Sequence, residues 1–471
     1  MEIAQPNTLS AAEPVQPGGG APSEKSALPP SQIREGNPIP LFALRSDSAT
    51  FIRRRGRYVP AAEHVLRNSL LASVGYLELA NAGDFAANVW NSVPVPRYAM
   101  VLMGLGGAMA LGLFYYAIKD ARLSWQNLHL LRAERRRLQT ENMAGSEESG
   151  KVGFNVDGQL NVNFREMGTE IVDRIGMEIL MGFGAVAVGI GTFMAIDGIN
   201  YPVWVASNLL TGYIGNSPAA LYGIANALWS TYIWIRADRH SIAGAKQLDA
   251  DFVQRFLLPR IRTIKLHAAI NGLTGVVAGV ASLITATQWW GYVGLLPCIF
   301  SSIWCNYFWR HMVGYERPVL PQSVRIEKAS LVQEVEFVSV ARQMLEEAPA
   351  SNPLQRLVSE STSLVSVVEY IVANDLFEDL CIRLLQDKSL SMTLFGAQTD
   401  ERLTIDSQML LHTDPGCVPR LMEVIYSCIK HSGRKRLIYR QRYLLEELGC
   451  YLCSSRSSSS KTSLAEVSRT L

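Results

Sequence analysis

Charged residues are absent from long stretches of this 471-residue chain, and tryptophan is absent from its C-terminal third. All nine tryptophans lie between Trp90 and Trp309, where the apolar residues are also concentrated. An average of 48% hydrophobic residues hides that partition. A formal charge of +2 excludes a grossly basic nucleic-acid binder, so no nucleic-acid partner is expected and electrostatic arguments are local. The first twenty residues lack a basic stretch followed by an apolar core, which reads against a secretory signal. Glu2, Glu13, Glu24 and Glu35 read against an acid-poor transit peptide.

Familiar chemical motifs are missing as well. There is no Walker A loop, no GxGxxG after a strand, no HExxH and no GxSxG. The seven histidines are scattered without ligand spacing, and the seven cysteines without a disulfide framework. Cys450 and Cys453 form a lone CxxC with no second pair, too few donors for a zinc site. The expectation is therefore no catalytic residues, no metal and no cofactor.

What the chain does contain is membrane-grade apolar sequence in four blocks. Tyr98–Ile118 has no charge in 21 residues, and roughly 1.5 Å of rise per residue makes that about 30 Å, a bilayer core. Gly176–Ile196 carries one acid, Glu178. Tyr201–Ile235 is uncharged but interrupted by the turn-like Gly215-Asn216-Ser217-Pro218. Leu266–Trp309 is long enough for two passages, with a hairpin at Thr287–Gly294.

Basic residues give a topology. Six lie between Lys119 and Arg137 and seven between Arg236 and Lys265, and Arg310 and Arg317 follow the last block. Five passages put all of these on one face with the C-terminus, as the positive-inside rule expects. The third passage is then broken at Pro218 or preceded by a re-entrant segment. The N-terminus falls on the opposite face, with which the Arg53–Arg57 cluster disagrees.

The expected architecture is an all-α integral membrane protein. Residues 1–50 read as a disordered tail rich in Pro, Gly and Ser, and 51–97 as an amphipathic, juxtamembrane helical segment. A five-span bundle covers 98–313, with a 119–175 loop that holds a small hairpin at Phe154–Val162. Residues 320–453 read as a soluble helical domain with its own core, and 454–471 as a disordered serine-rich tail.

Polar residues at membrane depth are the candidate sites, because each is costly unless paired. Asn208, Asn216 and Asn226 could form an intramembrane polar site; interhelical hydrogen bonding is the plainer role. Asn216 or Ser217 suits the N-cap of a helix starting at Pro218. Glu178 sits near a block end and should snorkel, and His267 and Asn271 also lie near an end. Small residues at four-residue spacing, Gly104/Ala108/Gly112, Ala187/Gly191 and Gly275/Gly279, suit close helix packing within a bundle, a homo-oligomer or a membrane partner. In the tail, Lys430, Arg434, Lys435, Arg436, Arg440 and Arg442 suit anionic lipid headgroups.

Functionally, the sequence points to a structural or adaptor component of an internal eukaryotic membrane, its C-terminal domain on the positive-inside face. Endoplasmic reticulum and mitochondrion are not distinguished. A small-solute transporter or channel using 201–235 is the first alternative, and a membrane-embedded enzyme without a motif is the second.

Overall fold

Glycines and prolines divide the chain into helices of very unequal length. The computed structural model describes residues 47–54, 56–61, 65–67, 70–90, 93–148, 156–319, 327–349, 352–358, 360–396 and 401–470. Of the expected N-terminal tail, 1–46 lie outside the described residues.

Residues 51–60 are not helical. β1 (Ser48–Arg54) and β2 (Arg57–Pro60) form a hairpin around Gly56, which takes the left-handed φ of 78°. A short strand β3 (Val65–Leu66) follows. The aromatic and β-branched residues Phe51, Ile52, Tyr58 and Val59 favour strand, and Phe51 is buried while Arg53, Arg54 and Arg57 stay exposed. Helix begins only later, as a 3-10 turn (Ala72–Tyr76), α1 (Leu77–Asn81) and α2 (Phe85–Val89).

That broken segment runs antiparallel along α3 (Arg97–Glu148). The Leu71 amide donates to Asp120 at one end (2.9 Å). Midway, Gly83 meets Gly106 so closely that a Cβ on Gly106 would lie 2.1 Å from the Gly83 carbonyl oxygen. At the far end the Trp90 ring packs edge-on against Tyr98, with centroids 5.4 Å apart. The segment therefore covers the whole length of the first apolar block.

α3 continues far beyond that block. No proline interrupts it before Glu148, and its second half keeps apolar residues such as Leu128, Leu131 and Leu138 buried on one face. The expected 119–175 loop is thus mostly helix. Of the expected hairpin at 154–162, residues 154–155 lie outside the described residues and 157–162 are helix, because α4 (Asp157–Gly168) buries Val162 and Asn163 on one side. Asn163 donates to the Leu131 carbonyl and to Glu134, at 2.9 Å each, and these tertiary bonds outweigh the local Asp-Gly turn signal.

A π-helical turn (Thr169–Gly176) leads into α5 (Met177–Met194). α6 (Tyr201–Asn208), a second π turn (Leu209–Ile214) and α7 (Ser217–Gln247) run as one broken helix antiparallel to α5. Thr211 packs on Gly191, Gly215 on Gly184, and Ala219 and Tyr222 on Met181, so 201–218 continues into α7 along α5 and does not turn back on itself. A single turn, α8 (Ala250–Phe252), and a third π turn (Val253–Leu257) precede α9 (Leu258–Thr285). α9 folds back as α10 (Gly291–Phe308), which ends in a π turn (Trp309–Val313) and strand β4 (Arg317–Pro318). Three helical stretches, Arg97–Met143, Asp157–Asp197 and Ala250–Thr285, are long and apolar enough to cross a membrane.

The remaining helices are α11 (Lys328–Glu347), α12 (Leu364–Ala373), α13 (Phe377–Gln386), α14 (Lys388–Phe395), α15 (Ser407–Leu411), α16 (Val418–Cys428) and α17 (Arg434–Thr470), with β5 (Arg402–Asp406) before α15. α17 runs through the serine-rich segment expected to be disordered. Residues 454–470 contain neither glycine nor proline, so nothing in the sequence stops the helix. The core of this helical region is shared, since Phe51 of β1 and Ala237, Ala243, Leu257 and Ile261 of α7 and α9 pack with Leu380, Leu384 and Leu444.

Two sheets tie the N-terminal residues to this region. β1 lies between β2 and β5, with Phe51 opposite Leu403, and β3 pairs with β4, with Leu66 opposite Arg317. Residues 48–66 therefore sit beside the C-terminal helices. Five passages would separate them by a bilayer, so the opposite-face placement is corrected.

Candidate functional site

Asn216 and Ser217 explain the turn inside the third block. Neither caps α7 through its side-chain oxygen, as the sequence suggested. Both instead serve the helix that has just ended. Asn216 donates to the Thr211 carbonyl (3.0 Å) and to Thr285 of α9 (3.3 Å), and Ser217 donates to the Tyr213 carbonyl (2.5 Å). A break in the helix frees carbonyls that lipid cannot hydrate, and these side chains supply the missing donors.

Asn226 is clasped to Asn271. The Asn271 amide donates to Asn226 Oδ1 (2.8 Å), and the Asn226 amide donates to the Asn271 carbonyl (3.0 Å). Helices α7 and α9 approach so closely here that a Cβ on Gly223 would lie 2.2 Å from the Gly275 oxygen. Gly275 and Gly279 thus pack within the chain, as does Gly191, whereas Gly104 and Gly112 face open space. Asn208 is half-buried at the end of α6. Roughly 15 Å of helix separates Asn216 from Asn226, so the three asparagines are strung along one passage and do not converge.

The second broken segment carries polar groups that sequence reading missed. Asp84 is fully buried, accepting from Tyr292 (2.8 Å) and Asn88 (3.0 Å), and Asn88 accepts from Thr211 of the other broken helix (3.2 Å). Glu78 is buried with Asn81 as its donor (3.1 Å). Glu178 does not snorkel: it is 3% exposed, and neither carboxylate oxygen has a hydrogen-bond partner within ordinary geometry. Near it, Arg174 bridges Asp120 (3.0 Å) and Glu170 (2.9 Å), and Ser124 and Asn127 also donate to Glu170. A narrow cleft past Thr169, Asp173, His267, Asn271 and Trp309 has room for only a few waters. The signal available in sequence was the acids and amides within 72–89, a stretch too short to register as a membrane segment.

At the junction with the C-terminal helices, charge is buried and matched. Arg317 reaches Glu134 of α3 through Nη1 (2.7 Å) and Nη2 (2.6 Å), and Glu166 of α4 through Nε (3.0 Å) and Nη2 (2.6 Å). All three side chains are at most 7% exposed. Glu446 of α17 sits between Arg236 (3.1 Å) and Arg165 (3.5 Å). Burial alone raises a carboxyl, yet Arg165, Arg236, His240 and Arg260 hold that of Glu446 well below the usual range.

The basic stretch of α17 is largely committed to acidic partners. Arg434 meets Glu346, Lys435 meets Glu316, Arg436 meets Asp375, and Arg440 is drawn in to Glu334. Arg442 donates to the carbonyls of Gly314 and His311, and Lys430 is exposed on the preceding π turn. The six cations are therefore not one free face.

Glu447, next to Glu446, has the opposite environment. Burial raises its carboxyl to about 7, and the donors Tyr443 and Arg317 only partly offset this. The folded protein then holds that proton more tightly than the unfolded chain, so its contribution favours folding below about pH 4 and declines as pH rises to about 7. Glu447→Gln is expected to stabilise the protein at pH 8 by up to about 3 kcal/mol and to give no gain at pH 4. Thermal unfolding of the two proteins in detergent across that range checks it.

Neither family models, curated proteins nor solved structures provide a match to this chain. The fold and site define a class only: a mainly helical protein with membrane-length apolar helices and a helical C-terminal cap held by buried ion pairs.

Proposed function

We propose that this is a multi-pass protein of an internal membrane whose role is that of a structural or adaptor component. It crosses six times, the broken segment 72–89 serving as the first passage and 201–235 as the fourth. The five passages read from apolar blocks become six because the added one is interrupted and acid-bearing. The cap lies on the basic face with residues 48–66, which also accounts for the Arg53–Arg57 cluster. The observation that carries the reading is the pair of buried ion clusters, Arg317 with Glu134 and Glu166, and Glu446 with Arg165 and Arg236. The Glu446 cluster fastens α17 of the cap to α4 and α7, and the Arg317 cluster fixes the strand leading into the cap against α3 and α4, as a scaffold requires and a rocking carrier does not.

The transporter reading keeps one specific support. Two broken helices meet at Asn88 and Thr211 beside buried Asp84, and discontinuous helices with polar contacts are what carriers use. Single cysteines at Asn216, Asn88 and Thr50 separate the readings. A scaffold leaves Asn216→Cys and Asn88→Cys inert to a water-soluble thiol reagent from both faces, while Thr50→Cys reacts from the cap side. One-sided reaction at Asn216 that a solute blocks would sink the scaffold and favour the carrier; reaction of Thr50→Cys from the other face would sink the six-passage count.

A further inference from the structure

We infer that a groove between the end of α10 and the start of α17 binds the headgroup of an anionic, phosphate-bearing lipid. The groove has a volume of about 410 Å³ and is lined by Arg310, His311, Glu316, Arg434, Lys435, Tyr439 and Arg442, with His431 and Ile438 beside them. That volume lies within the range of small-ligand sites.

Its depth follows from what precedes it. Trp304, Tyr307 and Met312 are exposed large side chains on the last turns of α10 and its π turn, and exposed aromatics at a span end mark the interface. Arg310 lies among them in sequence, one residue beyond Trp309. The groove thus opens where headgroups lie, on the face that carries the excess of basic residues.

Its chemistry favours an anion. Arg310, Arg434, Lys435 and Arg442 line it with one carboxylate, Glu316, while Arg434 also meets Glu346 outside the groove (3.1 Å) in a pair that is exposed and so weak. Arg442 spends its donors on the neutral carbonyls of Gly314 and His311, which fixes the guanidinium without cancelling its charge. Tyr439 carries Lys435 and Arg442 near its ring, at 5.1 and 5.8 Å, holding two cations at one edge. The Lys435–Glu316 contact (3.0 Å) involves a lysine that is 55% exposed, and exposed pairs are weak. A phosphate monoester can therefore displace Glu316 and gather Lys435, Arg434 and Arg310, whereas a zwitterionic head brings no net charge to the groove.

This inference rests on the membrane reading, and the test separates the two. The full chain is reconstituted in phosphatidylcholine nanodiscs with and without phosphatidic acid, and lipid retained through detergent exchange is quantified. Failure to incorporate into either disc would count against the membrane reading itself. With incorporation, phosphatidic acid is expected to be enriched over phosphatidylcholine. Lys435→Gln with Arg434→Gln should cut that enrichment about thirtyfold, the loss of two cations at a charged surface. Arg310→Gln is a second, independent variant, and Arg356→Gln, distant and paired to Glu347, is the control. Unchanged enrichment in both groove variants, or none in the native chain, overturns the proposal. So does glycerol phosphate displacing the lipid at equal concentration, which would make the groove a site for soluble phosphate.

Discussion

Arg317→Leu is expected to cost about 3–5 kcal/mol of stability, the largest effect of any single side-chain removal in the junction. The guanidinium lies between Glu134 and Glu166, and its loss leaves two buried carboxylates facing each other. Asn163 still donates to Glu134, and Tyr315 to Glu166 (2.8 Å), but neutral donors do not cancel two charges. The defect should shrink as pH falls through the carboxylate range, near 4, because protonation removes the repulsion. It should also shrink when Glu134→Gln and Glu166→Gln accompany it, since a buried ion cluster replaced as a whole is often nearly neutral. Denaturant unfolding followed by tryptophan fluorescence reads the bundle directly, because every tryptophan lies between Trp90 and Trp309. A loss under 1 kcal/mol, or one that ignores pH, would mean that water reaches the cluster and solvates it.

The legible part of the fold was the part written in local pattern. Uncharged blocks gave α3, α5, α7, α9 and α10, and amphipathic spacing gave the helices of the cap. The missed parts depend on contacts distant in sequence. β1 reads as strand only once β5, some 350 residues later, supplies its second edge. The segment 72–89 was missed because Glu78, Asn81, Asp84 and Asn88 break its hydropathy; Glu78 pairs locally with Asn81, but Asp84 and Asn88 also need Tyr292 and Thr211, more than 100 residues away. Glu178 failed for a related reason: snorkelling is the cheap solution for an isolated helix, and here packing against the rest of the chain buries the side chain. The asparagines were chosen as candidates because they are polar residues within uncharged sequence. Their roles as clasp and carbonyl donor followed only from the helix that each one faces.

Gly449 is where the cap comes closest to the bundle. A Cβ added there would lie 2.4 Å from His240 Nδ1, a distance that no repacking of an imidazole held between α7 and α17 relieves without moving one helix. Gly449→Val is therefore expected to push α17 off α7, breaking the Arg236–Glu446 pair and costing about 2 kcal/mol or more. The cysteines distinguish undocking from unfolding. Cys450 is buried at this interface, where burial also pushes its thiol pKa up, while Cys381 and Cys428 are buried in the core around α13 and α16. With Cys417 and Cys453 replaced by serine, Cys450 should react with a thiol reagent at least tenfold faster in the variant, and Cys381 and Cys428 should stay protected. All three reacting together would mean that cap and bundle unfold as one unit. Adding His240→Ala should restore much of the protection, because it removes the ring the valine strikes. Such coupling within the pair places the effect at the contact and not in the helix propensity of valine.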